Sequence, residues 1–181
     1  MLRSLFRNVA HVLVGCCVFA SAASADEASD INAMFRAGQT TEALARLDKL
    51  LEARPKDAPL RFLKGVLLND SQRRSDAAAV FQQLSVDYPE LPEPYNNLAV
   101  IYAAQGDYDK ARAALEAALR AQPGYAVAHQ NLGDVYVQLA RQSYSQALKL
   151  DPSNTTLAPK LALLRELTKP VTSTSAKSPP P

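Results

Sequence analysis

The sequence predicts an all-α protein built from repeated helical hairpins, and three observations lead there. Pro55, Pro89 and Pro123 recur at intervals of 34 residues, a spacing at which one short helical unit is copied along a chain. Apolar residues return every three or four positions, as in Leu44, Leu47, Leu50 and Leu51, so that one side of each segment can be buried as a helix face. No stretch alternates apolar with polar residues at the period of two that marks a half-buried strand.

Residues 1–25 read MLRSLFRNVAHVLVGCCVFASAASA. Arg3 and Arg7 lead into an apolar stretch from Val9 to Ala20, and Ala23-Ser24-Ala25 offers small side chains to a peptidase. This is the layout of a secretory signal, so a mature chain starting at Asp26 in the periplasm is expected. The apolar run falls short of the roughly 20 residues that cross hydrocarbon, and no membrane span is expected after cleavage. Leu13-Val14-Gly15-Cys16 supports a second reading, a lipoprotein box whose Cys16 would anchor the protein to the cell envelope. Cys16 and Cys17 are the two cysteines of the chain, so cleavage after Ala25 would leave no disulfide and no thiol nucleophile.

From Asp26 onward the expected repeat domain spans residues 26–168, with hairpins at about 26–55, 58–89 and 92–123. Start signals recur where helices must begin: Thr40 or Thr41, Asp57 ahead of Ala58-Pro59, Ser75 with Asp76, and Asp107 can each cap a helix. Gly38 and Gly106 punctuate pairs, whereas Gly65 and Gly133 lie inside helices, where a small residue would let a neighbour approach. Ala99 and Ala111 are expected to meet inside the third hairpin.

The fourth unit is short. Pro152 follows Pro123 after 29 residues rather than 34, and Leu139 runs straight into Ala140 where a turn belongs. With nothing left to reverse the chain, residues from about Ala126 to Leu150 are expected to form one fused helix of roughly 37 Å, at 1.5 Å per residue. Its apolar stripe would run past the preceding hairpin and need a cover. Residues 157–168, with Leu157, Leu161 and Leu164 on one face and Thr155 or Thr156 as cap, supply a capping helix packed antiparallel on the distal half. The alternative cover is a second copy of the chain, a homodimer, or another protein. Residues 169–181, KPVTSTSAKSPPP, hold little to bury and are expected to be a disordered tail.

Taken together, the slots Tyr95, Leu98, Ala99, Tyr102, Gly106, Ala111, Leu115, Ala118 and Pro123 resemble the tetratricopeptide repeat. Gly65, Leu68, Ala77, Phe81, Leu84 and Pro89 fit the same frame, with Lys64 where Leu is usual. So do Gly38, Ala43, Leu47 and Pro55 before it, and Leu132, Gly133, Tyr136, Ala140, Tyr144 and Ala147 after it. The resemblance, to an exported bacterial type of the family, implies a right-handed superhelical stack of about three hairpins, then the fused helix and the capping helix.

Chemistry is sparsely provided for. Beyond residue 25 the chain carries 18 basic and 18 acidic side chains, so no field favours nucleic acid. His129 is the one histidine after His11, and packing or exposure explains it better than a triad or a multi-histidine metal site. The six glycines are scattered and cradle no phosphate. No catalytic residue, cofactor site or metal site is expected, and the protein is read as non-enzymatic. The family resemblance instead implies a concave surface that binds a peptide or partner helix, lined by Asn32 and Phe35, then Phe62, Val66 and Asn69, then Asn96, Val100 and Ala103, then Gln130, Asp134 and Val137. The function this implies is a scaffold or adaptor of the bacterial cell envelope, with self-association through the fused helix as the alternative.

Overall fold

The computed structural model describes residues 26–167, which are helical throughout apart from their connections. The segment read as a signal, Cys16, the expected tail and Thr168 lie outside them. The chain divides into two compact units, one up to Pro89 and one from Glu90 on. Each unit is built from hairpins whose small inner residues let helices approach.

In the first unit, α1 (26–36) and α2 (Thr40–Ala53) are joined through Gly38, whose φ of 80° suits a residue without Cβ. Arg46 donates to Asp30 at 3.2 Å and Arg54 pairs with Glu27, which places the two helices antiparallel. Ile31, Ala43 and Leu47 close the space between them. The second hairpin joins α3 (Ala58–Asp70) to α4 (Arg74–Asp87). Asp57 caps α3 as expected, its Oδ1 accepting from the Leu60 amide at 3.0 Å, with Pro59 in the first turn. The turn here carries Gln72 at φ 63°, a left-handed conformation that costs a side-chain residue energy. A Cβ on Gly65 would sit 2.6 Å from the Phe81 ring, so this glycine makes room for the ring. Lys64, unusual in its slot, reaches Asp48 of α2 at 2.6 Å and so replaces apolar packing with an ion pair.

The other expected caps are corrected by the structure. Gln39 and Arg73 precede α2 and α4 and no side chain bonds the helix starts. Asp107 does precede the helix that starts at Tyr108, but its carboxylate takes Lys110 Nζ at 2.9 Å instead of a backbone amide.

The second unit begins with α5 (Pro92–Ala104) and α6 (Tyr108–Ala121), joined through Gly106 at φ 82°. Ala99 and Ala111 are both buried between them, beside Leu115 and Ala118. α7 is one helix, Ala126–Leu150, uninterrupted between Leu139 and Ala140. Its first half packs on α6 through Ala128 and Val135, with Leu132 and Leu139 partly buried in the same cluster. Two successive turns follow: Asp151 accepts from the amide and hydroxyl of Ser153, and Asn154 from those of Thr156. Thr156 is thus a donor to Asn154 rather than a cap. α8 (Leu157–Leu167) then returns along α7, burying Leu157 and Leu161 and setting Lys160 Nζ 5.3 Å from the Tyr144 ring centre.

Gly133 departs from expectation. Gly65, Ala99 and Gly133 are spaced 34 residues apart, and the first two are packed under Phe81 and beside Leu115. A Cβ on Gly133 would meet nothing within 4 Å. The residue in the slot of Phe81 and Leu115 is Tyr144, and the straight helix carries it about 16 Å away along the same rod. No neighbour therefore approaches Gly133.

Candidate functional site

The second unit presents a groove of about 280 Å³ where α5, α6 and α7 converge. Ala99, Val100 and Ala103 of α5 line one wall, Tyr108 and Leu115 of α6 the base, and Asn131, Asp134, Val135 and Gln138 of α7 the other wall. Asp134 and Val135 lie three and four positions after Asn131, and Gln138 four and three after them, so a single helix face delivers all four. Alanines keep α5 thin enough for the groove to stay open, and Val100 is 45% exposed within it. The wall opposite is mostly polar: beside Val135 it carries two side-chain amides and a single carboxylate, Asp134. Such a mixture offers apolar contact to a ligand's side chains and hydrogen bonds to its backbone.

Of the residues expected to line a binding surface, Val100, Ala103 and Asp134 meet in this groove. Asn96 does not face it openly. At 7% exposure it is buried between α5 and α7, where its Oδ1 accepts from Asn131 Nδ2 at 2.8 Å. Gln130 is exposed and Val137 half-buried on α7, both outside the groove lining. In the first unit, Asn32 and Phe35 are half-buried on α1, and Val66 and Asn69 on α3. Phe62 lies against Phe81, ring centres 5.5 Å apart and tilted by 55°, so much of its surface serves packing.

Tyr108, Asn131, Val135 and Gln138 escaped the sequence reading. The last three share one helical face with Asp134, and that spacing alone could have marked them. A second cavity, of about 380 Å³ in the first unit, is bordered by Leu51, Arg61, Lys64 and Val80. Its cations are already engaged, Lys64 with Asp48 and Arg61 with Asp87, both at 2.6 Å. His129 turns its Nε2 back to the Pro123 carbonyl at 2.9 Å and is exposed. Among the described residues no three His, Cys, Asp or Glu side chains gather as metal ligands would, and no helix is long and apolar enough to cross a membrane.

Sequence profiles described as tetratricopeptide repeat match residues 34–101 and 90–153. The tetratricopeptide repeat domain-containing protein PYG7, chloroplastic, of Arabidopsis thaliana is 34% identical over 93 residues, which cover 49% of this chain and 31% of that relative. The chain thus spans under a third of the length of that curated relative. Among solved structures, Pseudomonas aeruginosa pilF aligns at a TM-score of 0.58 and 20% identity, over 81% of this chain and 69% of that one. YrrB, described as a TPR protein with an unusual peptide-binding site, aligns at 0.51 and 24% identity, over 55% and 52%. Likeness at these identities establishes a shared fold.

Proposed function

Because residues 34–153 are tetratricopeptide repeats, a family whose members generally mediate protein–protein contacts, we propose that this protein is a non-enzymatic adaptor of the bacterial cell envelope. Its ligand is an extended peptide or a helix of a partner protein, seated between α5 and α7. The observation that supports this reading is the groove itself, with an apolar wall of Ala99, Val100 and Ala103 facing the polar wall of Asn131, Asp134 and Gln138. YrrB, of the same fold, is described as having a peptide-binding site. Export is supported by Arg3, Arg7, the apolar stretch and the Ala23-Ser24-Ala25 site, with lipidation of Cys16 as the competing attachment.

The test is photo-crosslinking in intact cells, with the reactive side chain placed at Val100 in the groove or at Val86, which is 73% exposed in the first unit. The expected result is a discrete adduct from Val100 that disappears when Asp134→Lys is added, and none from Val86. The same adducts from both positions would reject the groove. Intact mass of the exported product distinguishes a chain starting at Asp26 from one lipidated at Cys16.

A further inference from the structure

One face of α7 has lost the neighbour that the equivalent face has elsewhere in the chain. His129, Gly133 and Tyr136 stand where the third repeat has Tyr95, Ala99 and Tyr102, and where the second has Arg61, Gly65 and Leu68. In those repeats the second helix of the hairpin covers the face: Leu68 is 2% exposed and Ala99 1%. Here Tyr136 is 49% exposed and nothing lies within 4 Å of the position a Gly133 Cβ would take. α8 does not replace the missing arm. Eleven residues long, it extends about 16 Å against the roughly 37 Å of α7, and it sits on the distal half beside Tyr144.

The open face also continues past the proximal half. His129, Gly133, Tyr136, Ala140, Ser143, Ala147 and Leu150 follow one another at steps of four and three, the seam spacing by which two helices coil around each other. Three heptads, about 32 Å, are covered this way. None of the seven is an acidic residue, a lysine or an arginine. Leu150 is 78% exposed, Ser143 is exposed, and Ala140 and Ala147 are half-buried, so the seam is partly covered but not closed.

We propose that the occupant of this face is α7 of a second copy of the chain, in antiparallel pairing about a two-fold axis close to Ala140. Sizes match in that arrangement: Tyr136 falls opposite Ser143 of the second copy, Gly133 opposite Ala147, and the two Ala140 side chains meet at the axis. The repeat register independently names the same occupant. The residues that belong over Gly133 are those of its own repeat's second arm, Ala140, Tyr144 and Ala147, and the straight helix keeps them from reaching it within one chain. A second copy brings Ala147 of that arm opposite Gly133, and by symmetry receives the same in return. The seam is distinct from the α5–α6–α7 groove, so failure here would leave the adaptor reading intact.

The test is sedimentation equilibrium of the purified protein with Cys16→Ser and Cys17→Ser. The expected result is a monomer–dimer equilibrium, with Ser143→Arg raising the dimer Kd roughly tenfold or more by placing two cations in the seam while the helical content of the chain stays unchanged. Under mild oxidation Ala140→Cys should give a disulfide-linked dimer, whereas Gln142→Cys, exposed on the far side of the same turn, should not. A protein that remains monomeric at concentrations on the order of 100 µM would overturn the proposal and leave the face to a helix of another protein. A dimer indifferent to Ser143→Arg would overturn it equally.

Discussion

Asn131 of α7 donates its side-chain amide to Asn96 of α5 at 2.8 Å, across 35 residues of sequence and past the intervening α6. The bond ties the first helix of the third repeat to the first helix of the truncated fourth, behind the groove wall that Asn131 lines. Because Asn96 is 7% exposed, its carbonyl has no water to turn to.

Asn96→Ala should therefore lower stability by about 1 to 2 kcal/mol, since it removes the bond and leaves the Asn131 amide half-buried without its partner. A thermodynamic cycle with Asn131→Ala in urea should show a coupling of about 1 kcal/mol. Additive single effects would mean that the two amides do not share a bond.

The two helical glycines should respond to the same substitution with opposite signs. Gly65→Ala drives a methyl to within 2.6 Å of the Phe81 ring, and a cost of about 1 to 3 kcal/mol follows from overpacking. Gly133→Ala meets open space, removes a flexible residue from a helix interior, and should gain about 0.5 to 1 kcal/mol. Thermal melts of the two variants at low protein concentration give the comparison.

At the tip of the second hairpin, Gln72→Gly should stabilise. Gly38 and Gly106 occupy the same turn slot with φ near 80°, and Gln72 holds φ 63° with a side chain attached. Relief of about 1 to 2 kcal/mol of left-handed strain, set against glycine's greater freedom when unfolded, leaves a gain of about 0.5 to 1 kcal/mol. A lower melting temperature would contradict this account.

Acid should loosen the end of the second hairpin. Hydrogen bonds from Arg61 and Gln83 hold the Asp87 carboxyl below its ordinary value of 3.8. The folded pKa is depressed, so the contribution is complete above the ordinary value and is lost as pH falls through the folded one. Asp87→Asn should be less stable than the parent at neutral pH, with the difference shrinking as pH falls below the ordinary value of 3.8, as read from melting temperature against pH.

Much of the fold was legible because helices advertise their buried faces at fixed spacing and because a copied unit states its own length. The five residues missing between Pro123 and Pro152 announced a helix with no reversal, and α7 follows that arithmetic from Ala126 to Leu150. The same frame misled at Gly133, because a repeat pattern assigns each slot the neighbour it has in complete copies, and here that neighbour had been carried down the rod. Asn96 shows a related limit. Periodicity puts it on the inner side of α5 but cannot tell a surface that greets a ligand from one that meets the next helix, and a bond to Asn131 decides the matter. Caps were overcalled at Ser75 and Thr40 because these residues are good caps wherever a helix happens to start, and α4 and α2 start one residue or more away from the place that would use them.

The unbroken backbone of α7 also changes where the molecule can be cut. A protease must draw a stretch of chain into an extended form, and it finds such stretches most readily at exposed tips. Gly38, Gln72 and Gly106 each mark one, whereas the corresponding place between Leu139 and Ala140 is held in a continuous ladder of helical hydrogen bonds. Limited digestion should then nick the hairpin tips and spare the rod, releasing a resistant fragment that carries α7 whole.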